Sequence, residues 1–500
     1  MRFSITTLGC KVNQYDAEAI SHVLEAAGLC RAAPDGPGAE LVVVATCCVT
    51  ATAMRKSRQA LRRAVRRSPG AAVLVTGCYG DYDARRIGAV LAEMGVPPEA
   101  VTFAGHHGDL AARVEQLARR LGRHEPASRD SAIGRTGPRA EPAWDDGSMS
   151  APDDARITVS PESIRTRRLA AVKANVPGAA GLGAIERFAD HQRAFVKVQD
   201  GCDAFCSYCI VPFTRPRVWS RTIDDVLAEC RRLVVAGHGE IVLCGVFLGA
   251  FGRPTAVRRR WDGAPGRLPG LLRAVAGIDG LWRVRLSSLE PGDVTEELLR
   301  AAGELPTVAP HFHLPLQSGS PAVLKRMNRQ YTPDEYRRTV ERIAAALDRP
   351  ALTTDIIVGF PGETEDDFAA TLELAQRAGF ARIHAFPFSA VEGTAAWRRR
   401  HEAPPPDVVR GRMARLADLE RRLADAYRRR FVGETLEALV ERPRRPAGPR
   451  QALTDRYLTV RFPAPPGAAG DDLTGRVVRL QIDAATPEGL AGRLCSRLGY

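Results

Sequence analysis

Apolar runs and amphipathic segments alternate over the first 120 residues of the chain. Short runs rich in Val, Leu and Ile are typical of buried strands, and the segments between them repeat apolar residues at helical spacing. The elements predicted in this way are strand 3–8, helix 16–27, strand 41–46, helix 54–65 and strand 72–76. Because strands alternate with helices, we expect a parallel α/β domain at 1–123.

Each predicted strand of this domain runs into a cysteine. These cysteines, called the first triad below, are Cys10, Cys47 and Cys78. The carboxyl ends of parallel strands share one edge of a sheet, so thiols that are distant in sequence are expected to converge there. Ordinary burial explains any one of them, whereas three at the same structural position indicate a shared ligand.

Strand–helix alternation returns at 191–425. The predicted strands are 194–198, 240–243, 282–286, 311–314, 352–358 and 383–386. The predicted helices are 224–235, 295–301, 321–327, 333–347 and 365–378. Six such units predict a partial (βα)6 TIM-like barrel, with its site at the carboxyl ends of the strands.

Two other segments have a different composition. Residues 124–190 are rich in Pro, Gly, Ala and Ser without steady periodicity, which predicts a disordered linker or insertion. At 433–500, short alternating runs separated by Pro and Gly predict a small antiparallel β-barrel. The fold class is therefore α/β, with the barrel as a third, carboxyl-terminal domain.

A second group of cysteines follows the strand at 194–198 with the spacing C-x-x-x-C-x-x-C. This second triad is Cys202, Cys206 and Cys209. Three thiolates on one loop can hold three irons of a 4Fe–4S cluster and leave the fourth iron open to a small molecule. A zinc knuckle and unrelated buried thiols are the alternatives. Structural zinc needs a fourth ligand, and the next cysteine, Cys230, lies within a helical pattern, so the spacing favours the cluster.

The second triad, with Tyr208 before its last cysteine and I-V-P after it, resembles the radical S-adenosylmethionine (SAM) enzymes in their methylthiotransferase branch. The resemblance implies that the open iron binds the amino and carboxylate groups of SAM. It implies that one electron from the cluster then cleaves SAM to a 5′-deoxyadenosyl radical. An electron donor such as flavodoxin or ferredoxin is implied as a partner.

The amino-terminal stretch T-L-G-C-K-V-N-Q-Y-D is similar to the family's form for threonylcarbamoyladenosine in tRNA. Isopentenyladenosine enzymes typically have G-C-Q-M-N here, and those that modify a ribosomal protein have G-C-P-K-N. The resemblance assigns the first triad to a second 4Fe–4S cluster, with Cys47 as the ligand and Cys48 as an apolar filler. Ala45 stands where the family usually has Asn, which is expected to loosen the hydrogen bonding around Cys47.

Polar and glycine-rich blocks follow several central strands and resemble the family's SAM-binding domain. The residues expected to bind the cofactor are Tyr208, Gly245, Ser287, Ser288, Glu290, Gln317 and Asp355. His313 and Glu363 belong to the same blocks, and His313 is equally well explained as a core histidine.

The chain departs from the family pattern at Pro216, Trp219, Phe247 and Val391, which stand where Gly, Arg, His and Arg are common. The missing arginines are expected to weaken contacts with substrate phosphates. Nearby arginines that could compensate are Arg215, Arg217 and Arg221.

Composition narrows the choice of partners. The chain has 71 Lys and Arg against 58 Asp and Glu, a net charge of +13, which favours a polyanion such as nucleic acid. A solvated Arg-rich surface explains the excess about as well. T-D-R-Y-L-T-V and its position resemble the family's TRAM module, which implies contact with a tRNA anticodon stem-loop. The basic residues around that hairpin are Arg442, Arg444, Arg445, Arg450 and Arg456, with Tyr457 beside them.

The chain shows no apolar run of eighteen residues and no signal-peptide pattern, so we expect a cytoplasmic protein without a membrane partner. Its eleven cysteines are then more suited to ligation than to disulfides.

The resemblance implies a tRNA threonylcarbamoyladenosine methylthiotransferase. Such an enzyme replaces the C2 hydrogen of the adenine 3′ of the anticodon with a methylthio group. An aromatic C–H has no useful acidity, so a radical rather than a base must open it. A sister specificity, for isopentenyladenosine or a ribosomal-protein aspartate, is the alternative within the family. A non-catalytic RNA-binding metalloprotein is the alternative from another class.

Overall fold

The computed structural model describes residues 1–33, 38–105, 110–122, 182, 184–189, 191–261, 263, 266–442, 448–463 and 473–498. Apart from residues 182 and 184–189, the predicted linker at 124–190 lies outside this part of the chain. The predicted domain limits stay predictions.

A five-stranded parallel sheet forms the amino-terminal unit. Its elements are β1 (Arg2–Thr7), α1 (Lys11–Ala26), β2 (Cys30–Arg31), β3 (Leu41–Thr46), α2 (Ala51–Arg67), β4 (Ala72–Gly77), α3 (Cys78–Tyr82), α4 (Ala84–Ala92), β5 (Val101–Ala104) and α5 (Leu110–Gly122). The strand order is β2-β1-β3-β4-β5, and β3 is buried along its whole length because helices cover both faces. Thr7 pairs with Ala45, and Thr46 with Gly77, so β1, β3 and β4 end at one edge.

The central unit contains six parallel strands followed by helices. Its elements are β6 (Arg193–Asp200), α6 (Val211–Thr214), β7 (Trp219–Ser220), α7 (Ile223–Val235), β8 (Glu240–Gly245), α8 (Leu268–Ala276), β9 (Arg283–Leu286), α9 (Glu296–Glu304), β10 (His311–His313), α10 (Pro321–Arg326), α11 (Pro333–Ala346), β11 (Ala351–Val358), α12 (Glu365–Ala378), β12 (Arg382–Pro387), α13 (Ala395–Arg398) and α14 (Pro406–Arg429). The short β7 pairs antiparallel with β6. A parallel bridge between Ser288 and His313 joins the β6-β8-β9 side to β10-β11-β12, which gives a partial barrel.

Threonine caps start several of the central helices. The side chains of Thr222, Thr295, Thr332 and Thr364 each accept a hydrogen bond from a backbone N–H in the first turn of α7, α9, α11 and α12. Each cap satisfies one N–H that the helix leaves free and contributes about 1 kcal/mol. The helices therefore begin at defined residues, which fixes the preceding loops at the strand ends.

A closed five-stranded barrel forms the carboxyl-terminal unit. Its strands are β13 (Thr435–Val440), β14 (Arg450–Thr454), β15 (Thr459–Phe462), β16 (Val477–Thr486) and β17 (Gly489–Arg497), in the order β13-β14-β15-β17-β16. Alternate residues of these strands, such as Ala438, Val440, Val460 and Leu480, fill its apolar interior.

The small barrel packs on the amino ends of the central strands. Arg285 at β9 donates to Glu240 at the start of β8 and to the backbone oxygen of Thr454 in the barrel, each at 2.6 Å. The Arg285 guanidinium lies 4.0 Å from the ring centre of Tyr457, and His311 meets the same ring edge-on. The barrel and the carboxyl ends of the strands are thus at opposite ends of the central unit.

The fold class inferred from the sequence is confirmed. The structure adds β14 and β17 to the barrel, β5 and α5 to the amino-terminal unit, and a first helix that begins at Lys11 rather than at residue 16. Throughout the described ranges, every helix is too short or too polar to cross a bilayer.

Candidate active site

The first triad lies where three adjacent strands of the amino-terminal sheet end. Cys10 precedes α1, Cys47 follows β3, and Cys78 begins α3. Gly9 has a φ of +103°, and a Cβ there would lie 3.3 Å from the Cys47 sulfur, so the first two loops touch. Cys10 is exposed, whereas Cys47 and Cys78 are buried. The predicted convergence of the three strand ends is present.

Two polar side chains hold these loops together. Asn13 of α1 donates to the backbone oxygens of Leu8 and Thr46 at 3.0 and 2.9 Å. Ser57 of α2 accepts from the Cys47 N–H and donates to the Cys47 carbonyl, both at 3.0 Å. The hydrogen bonding around Cys47 is therefore provided by Ser57, and the loosening expected from Ala45 is not found.

Burial makes the Cys47 and Cys78 thiols of the first triad hard to ionise. It raises the pKa of Cys47 to about 12, and the Cys78 and Cys10 thiols add to the increase. Arg215, whose side chain donates to the Cys78 sulfur at 3.4 Å, opposes this increase. A thiolate is the form that binds metal, so iron would add further positive charge beside the buried thiols.

The second triad lies on the loop between β6 and α6. Its turn is closed by the Cys209 N–H, which donates to the Cys206 carbonyl at 2.9 Å. The Cys206 sulfur accepts from Arg329 at 3.1 Å, and the Cys202 sulfur accepts from the Ala204 N–H at 3.5 Å. Burial raises the pKa of Cys209 to about 12, and Cys206 adds to it. N–H donors to sulfur are among the contacts that tune iron–sulfur clusters.

An open cavity of about 160 Å³ adjoins the second triad. The residues that the sequence predicted and that line it are Cys202, Cys206, Cys209, Tyr208, Ser288, Glu290 and Gln317. Gln317 has a φ of +63°, unusual for a residue with a side chain, and its backbone is fixed by Asp355 and Ile357. These backbone hydrogen bonds hold Gln317 in the wall of the cavity.

Arg329 organises the wall of this cavity. Besides Cys206, its guanidinium contacts the Tyr208 hydroxyl at 3.4 Å and the Glu290 carboxylate at 2.6 Å. The other oxygen of Glu290 lies 3.3 Å from Arg258, which also pairs with Asp293 at 2.7 Å. Burial nevertheless raises the pKa of Asp293 to about 6. A polar group of either charge on a small ligand would find a partner here.

Three residues expected to bind the cofactor lie outside the lining of this cavity. A Cβ at Gly245 would lie 2.9 Å from the side-chain oxygen of Gln199, so Gly245 makes room for protein. The backbone of Ser287 pairs with Leu243, and its hydroxyl is buried. Asp355 lies 3.4 Å from His313 on the adjacent strand.

Arg215 joins the two triads, which the sequence did not reveal. Its side chain donates to the Cys78 sulfur at 3.4 Å, while its carbonyl accepts from the Cys202 N–H at 3.1 Å. The guanidinium also donates to both carboxylate oxygens of Asp200 at 2.8 Å. It donates to the side-chain oxygens of Asp16 and Asn13 at the same distance. One buried arginine of the central unit is thereby tied to the amino-terminal unit.

The proposed phosphate contacts by Arg215 and Arg221 are wrong for this structure. Arg215 is buried within the contacts just described, and Arg221 pairs with the buried Glu229 and with Tyr15. Both side chains are already bound to acidic groups of the protein. Val391 is 1% exposed in the apolar cluster around Cys48, so the arginine common at this place would have no solvent to reach.

The remaining predicted residues lie either in an apolar core or where the small barrel meets the central unit. Cys48 is fully buried among apolar residues, and Ile210, directly after the second triad, packs in the same cluster. Two arginines of the small barrel were predicted to contact RNA. Arg450 is buried, and Arg456 donates to the backbone oxygens of Asp348 and Arg349 in the central unit. Arg444 and Arg445 lie outside the described residues.

Both triads fit iron–sulfur clusters. Each offers three thiols and has an arginine N–H directed at a sulfur; the second triad lines an open cavity, and in the first triad Cys10 is exposed. Within the described ranges, no three Cys, His, Asp or Glu side chains are grouped as one metal ion requires. A four-iron cluster instead takes one thiolate per iron.

Comparisons with known proteins agree with this geometry. Residues 196–375 match the profile of the Radical SAM superfamily, and residues 2–95 match that of the Uncharacterized protein family UPF0004. A Chlamydia pneumoniae protein named Threonylcarbamoyladenosine tRNA methylthiotransferase MtaB is 32% identical over 495 residues, 98% of each chain. Its Bacillus subtilis (strain 168) namesake is 31% identical over 95% of this chain and 92% of its own.

A protein of another name is equally similar. The tRNA-2-methylthio-N(6)-dimethylallyladenosine synthase of Maricaulis maris (strain MCS10) is 32% identical over 99% of this chain and 97% of its own. Membership of the Radical SAM superfamily implies a 4Fe–4S cluster and SAM. With relatives of such identity over the full length, the chain belongs to the radical SAM methylthiotransferases, enzymes that transfer sulfur and methyl groups.

Proposed function

We propose that this enzyme methylthiolates C2 of N6-threonylcarbamoyladenosine, the nucleoside 3′ of the anticodon in tRNA. The observation that supports methylthiolation is the pairing of two thiol triads across the seam between the amino-terminal and central units, with Arg215 in contact with both. The choice of nucleoside rests on the relatives and the motif that follow. Two relatives that share most of their length with this chain are named for that substrate. The motif G-C-K-V-N around Cys10 supports the same choice.

In this proposal each triad would hold one 4Fe–4S cluster. The cluster at the second triad would supply one electron for the reductive cleavage of SAM, the cluster at the first would supply sulfur, and a second SAM would supply the methyl group. Arg329 and Arg215 each direct an N–H at a thiolate, which favours the charged ligand form. Burial of Cys47, Cys78 and Cys202 keeps water away from the sulfurs.

SAM would occupy the cavity beside the second triad. Glu290, held by Arg329 and Arg258, presents a fixed carboxylate to an ammonium or hydroxyl group. Ser288 is exposed to the cavity and Gln317 is held toward it, so both can donate or accept a hydrogen bond. Tyr208 is fixed by its ring contact with Phe360 and forms part of the wall.

A sister specificity is the second candidate. The Maricaulis maris relative, named for dimethylallyladenosine, is as similar to this chain as the relatives named for threonylcarbamoyladenosine. Purified enzyme with both clusters rebuilt, SAM and a one-electron donor such as flavodoxin or ferredoxin separates the two. It should methylthiolate a tRNA that carries threonylcarbamoyladenosine and leave one that carries dimethylallyladenosine unchanged. The opposite preference would establish the sister activity.

A further inference from the structure

The outer face of α2 carries positive charge without neighbouring carboxylates. Seven of its seventeen residues are Lys or Arg and none is acidic. Four of them, called the basic face below, are exposed and make no hydrogen bond or ion pair within the described part of the chain: Arg55, Lys56, Arg63 and Arg66. At about 100° per residue these four lie within an arc of about 100°. They extend about 16 Å along the helix.

This face adds little to the stability of its own helix. The first turn of α2 contains no acidic residue, whereas α7, α9, α11 and α12 each begin with two or three. Arg63 and Arg66 lie one turn apart and repel one another, and of the four cations only Arg66, in the last turn, favours the helix dipole. The charge is therefore better explained by something it binds than by the fold.

Another helix of the chain has basic side chains that form ion pairs within the fold. Helix α14 also carries seven arginines, but it contains four acidic residues as well. Its Arg429 pairs with Asp425 at 2.7 Å, and Arg421 pairs with Asp418. Within the described part of the chain the basic face has nothing comparable, and the pair of Arg62 with Glu93, just after α4, lies beside it.

The position of α2 connects this charge to the active site. The helix starts at Ala51, four residues after Cys47, and the Ala51 N–H donates to Ser389 of the central unit at 2.9 Å. Its apolar residues Leu61 and Val65 are buried against the sheet, and its exposed residues are mostly charged, with no large apolar side chain among them. A membrane helix would need an apolar face as well, which favours a phosphate polymer.

The small barrel cannot provide this contact near the site. It packs at the amino ends of the central strands, and β11 alone, with eight residues, spans about 26 Å. Its Arg456 and Tyr457 contact the central unit. An RNA that brings a base to the first triad needs cations at the opposite end, where α2 begins.

We propose that the basic face binds the phosphate backbone of the substrate RNA and guides it toward the first triad. The inference rests on the proposed function for the identity of the RNA, and its own content is the surface. Each phosphate contact releases condensed counterions, so binding through this face should weaken steeply with salt.

The test compares two triple variants with the same loss of charge. The first is Lys56→Gln/Arg63→Gln/Arg66→Gln on α2, and the control is Arg421→Gln/Arg422→Gln/Arg429→Gln on α14. Affinity of the cluster-loaded full chain for an unmodified tRNA transcript is measured from low to high salt. The α2 variant should bind about 10- to 100-fold more weakly near physiological salt, with a log–log salt slope shallower by about 2 to 3. The control should change that slope by less than about 1.

Equal slopes for the two variants would overturn the inference, because net charge alone would then explain the effect. Loss of binding to anionic lipid vesicles with tRNA binding unchanged would also overturn it. Failure of the proposed function differs from both: wild-type enzyme would then fail to methylthiolate the tRNA, while the difference between the variants in RNA affinity would remain.

Discussion

Replacing Arg215 with Met tests whether a buried charge network holds the two catalytic units together. The substitution keeps most of the side-chain volume but removes the contacts to Asp16, Asp200 and Asn13 and to the Cys78 sulfur. Lys197 pairs with Asp200 at 2.9 Å and with Asp16. In the variant its single positive charge would face both buried carboxylates without the arginine.

The size of the effect follows from burial. The side chains of Arg215, Asp16 and Asp200 are 2%, 4% and 8% exposed. Removing one partner from such a network leaves a buried charge uncompensated, which costs about 3–5 kcal/mol. Opening of the seam between the two units should therefore become about 10²- to 10⁴-fold more frequent.

Hydrogen exchange measures this opening locally. Peptides from α1 and from residues 198–217 should exchange faster in the variant, whereas peptides from β14 to β17 should not change. Arg273→Met is the matched control, because Arg273 joins Glu304 across two helices at 2.9 Å but is 37% exposed. Such a pair contributes at most about 1 kcal/mol. Equal exchange in the two variants, or a change below threefold at the seam, would refute the reasoning.

Four further predictions concern the clusters and one carboxyl group. Anaerobically rebuilt protein should hold about eight irons, and a variant with all three cysteines of the second triad changed to Ala about half of them; stoichiometric zinc instead would contradict both clusters. Alanine at the whole first triad should abolish methylthiolation and spare reductive SAM cleavage, whereas alanine in the second should stop both; equal loss of SAM cleavage would argue against divided roles. Cys48→Ala should keep both clusters and Cys47→Ala should lose one, and the reverse result would show a register error. The pKa of Asp293 is raised to about 6, so its protonated form stabilises the fold below about pH 4, and the free energy of unfolding should fall by about 3 kcal/mol as the pH rises through 6. An Asp293→Asn variant with the same pH dependence as wild type would contradict this.

The elements that the sequence predicted best are those with a single buried environment. Strand β3 was predicted with its observed limits because five apolar residues in a row, followed by a threonine, admit little else. Helix α1 was placed too late since the polar Asn13 and Asp16 obscure its first turn, and both are buried for their contacts with Arg215. In the barrel, β14 and β17 were missed because Arg and Gln interrupt their apolar alternation.

The site divides in the same way. Cysteine spacing and strand ends were enough to find both triads, since these are local or follow from sheet topology. The roles of Arg215 and Arg329 were not predictable, because each depends on which loops meet in the folded chain. An arginine in a sequence does not show whether its partner is a phosphate, a carboxylate or a thiol.

Nucleoside mass spectrometry of tRNA tests the central claim most directly. Cells that lack this protein should lose the 2-methylthio derivative of N6-threonylcarbamoyladenosine and accumulate the parent nucleoside. Wild-type protein should restore the derivative, and the Cys47→Ala variant should not. An unchanged derivative in cells without the protein, or the loss of a methylthio group from dimethylallyladenosine instead, would contradict the proposed substrate.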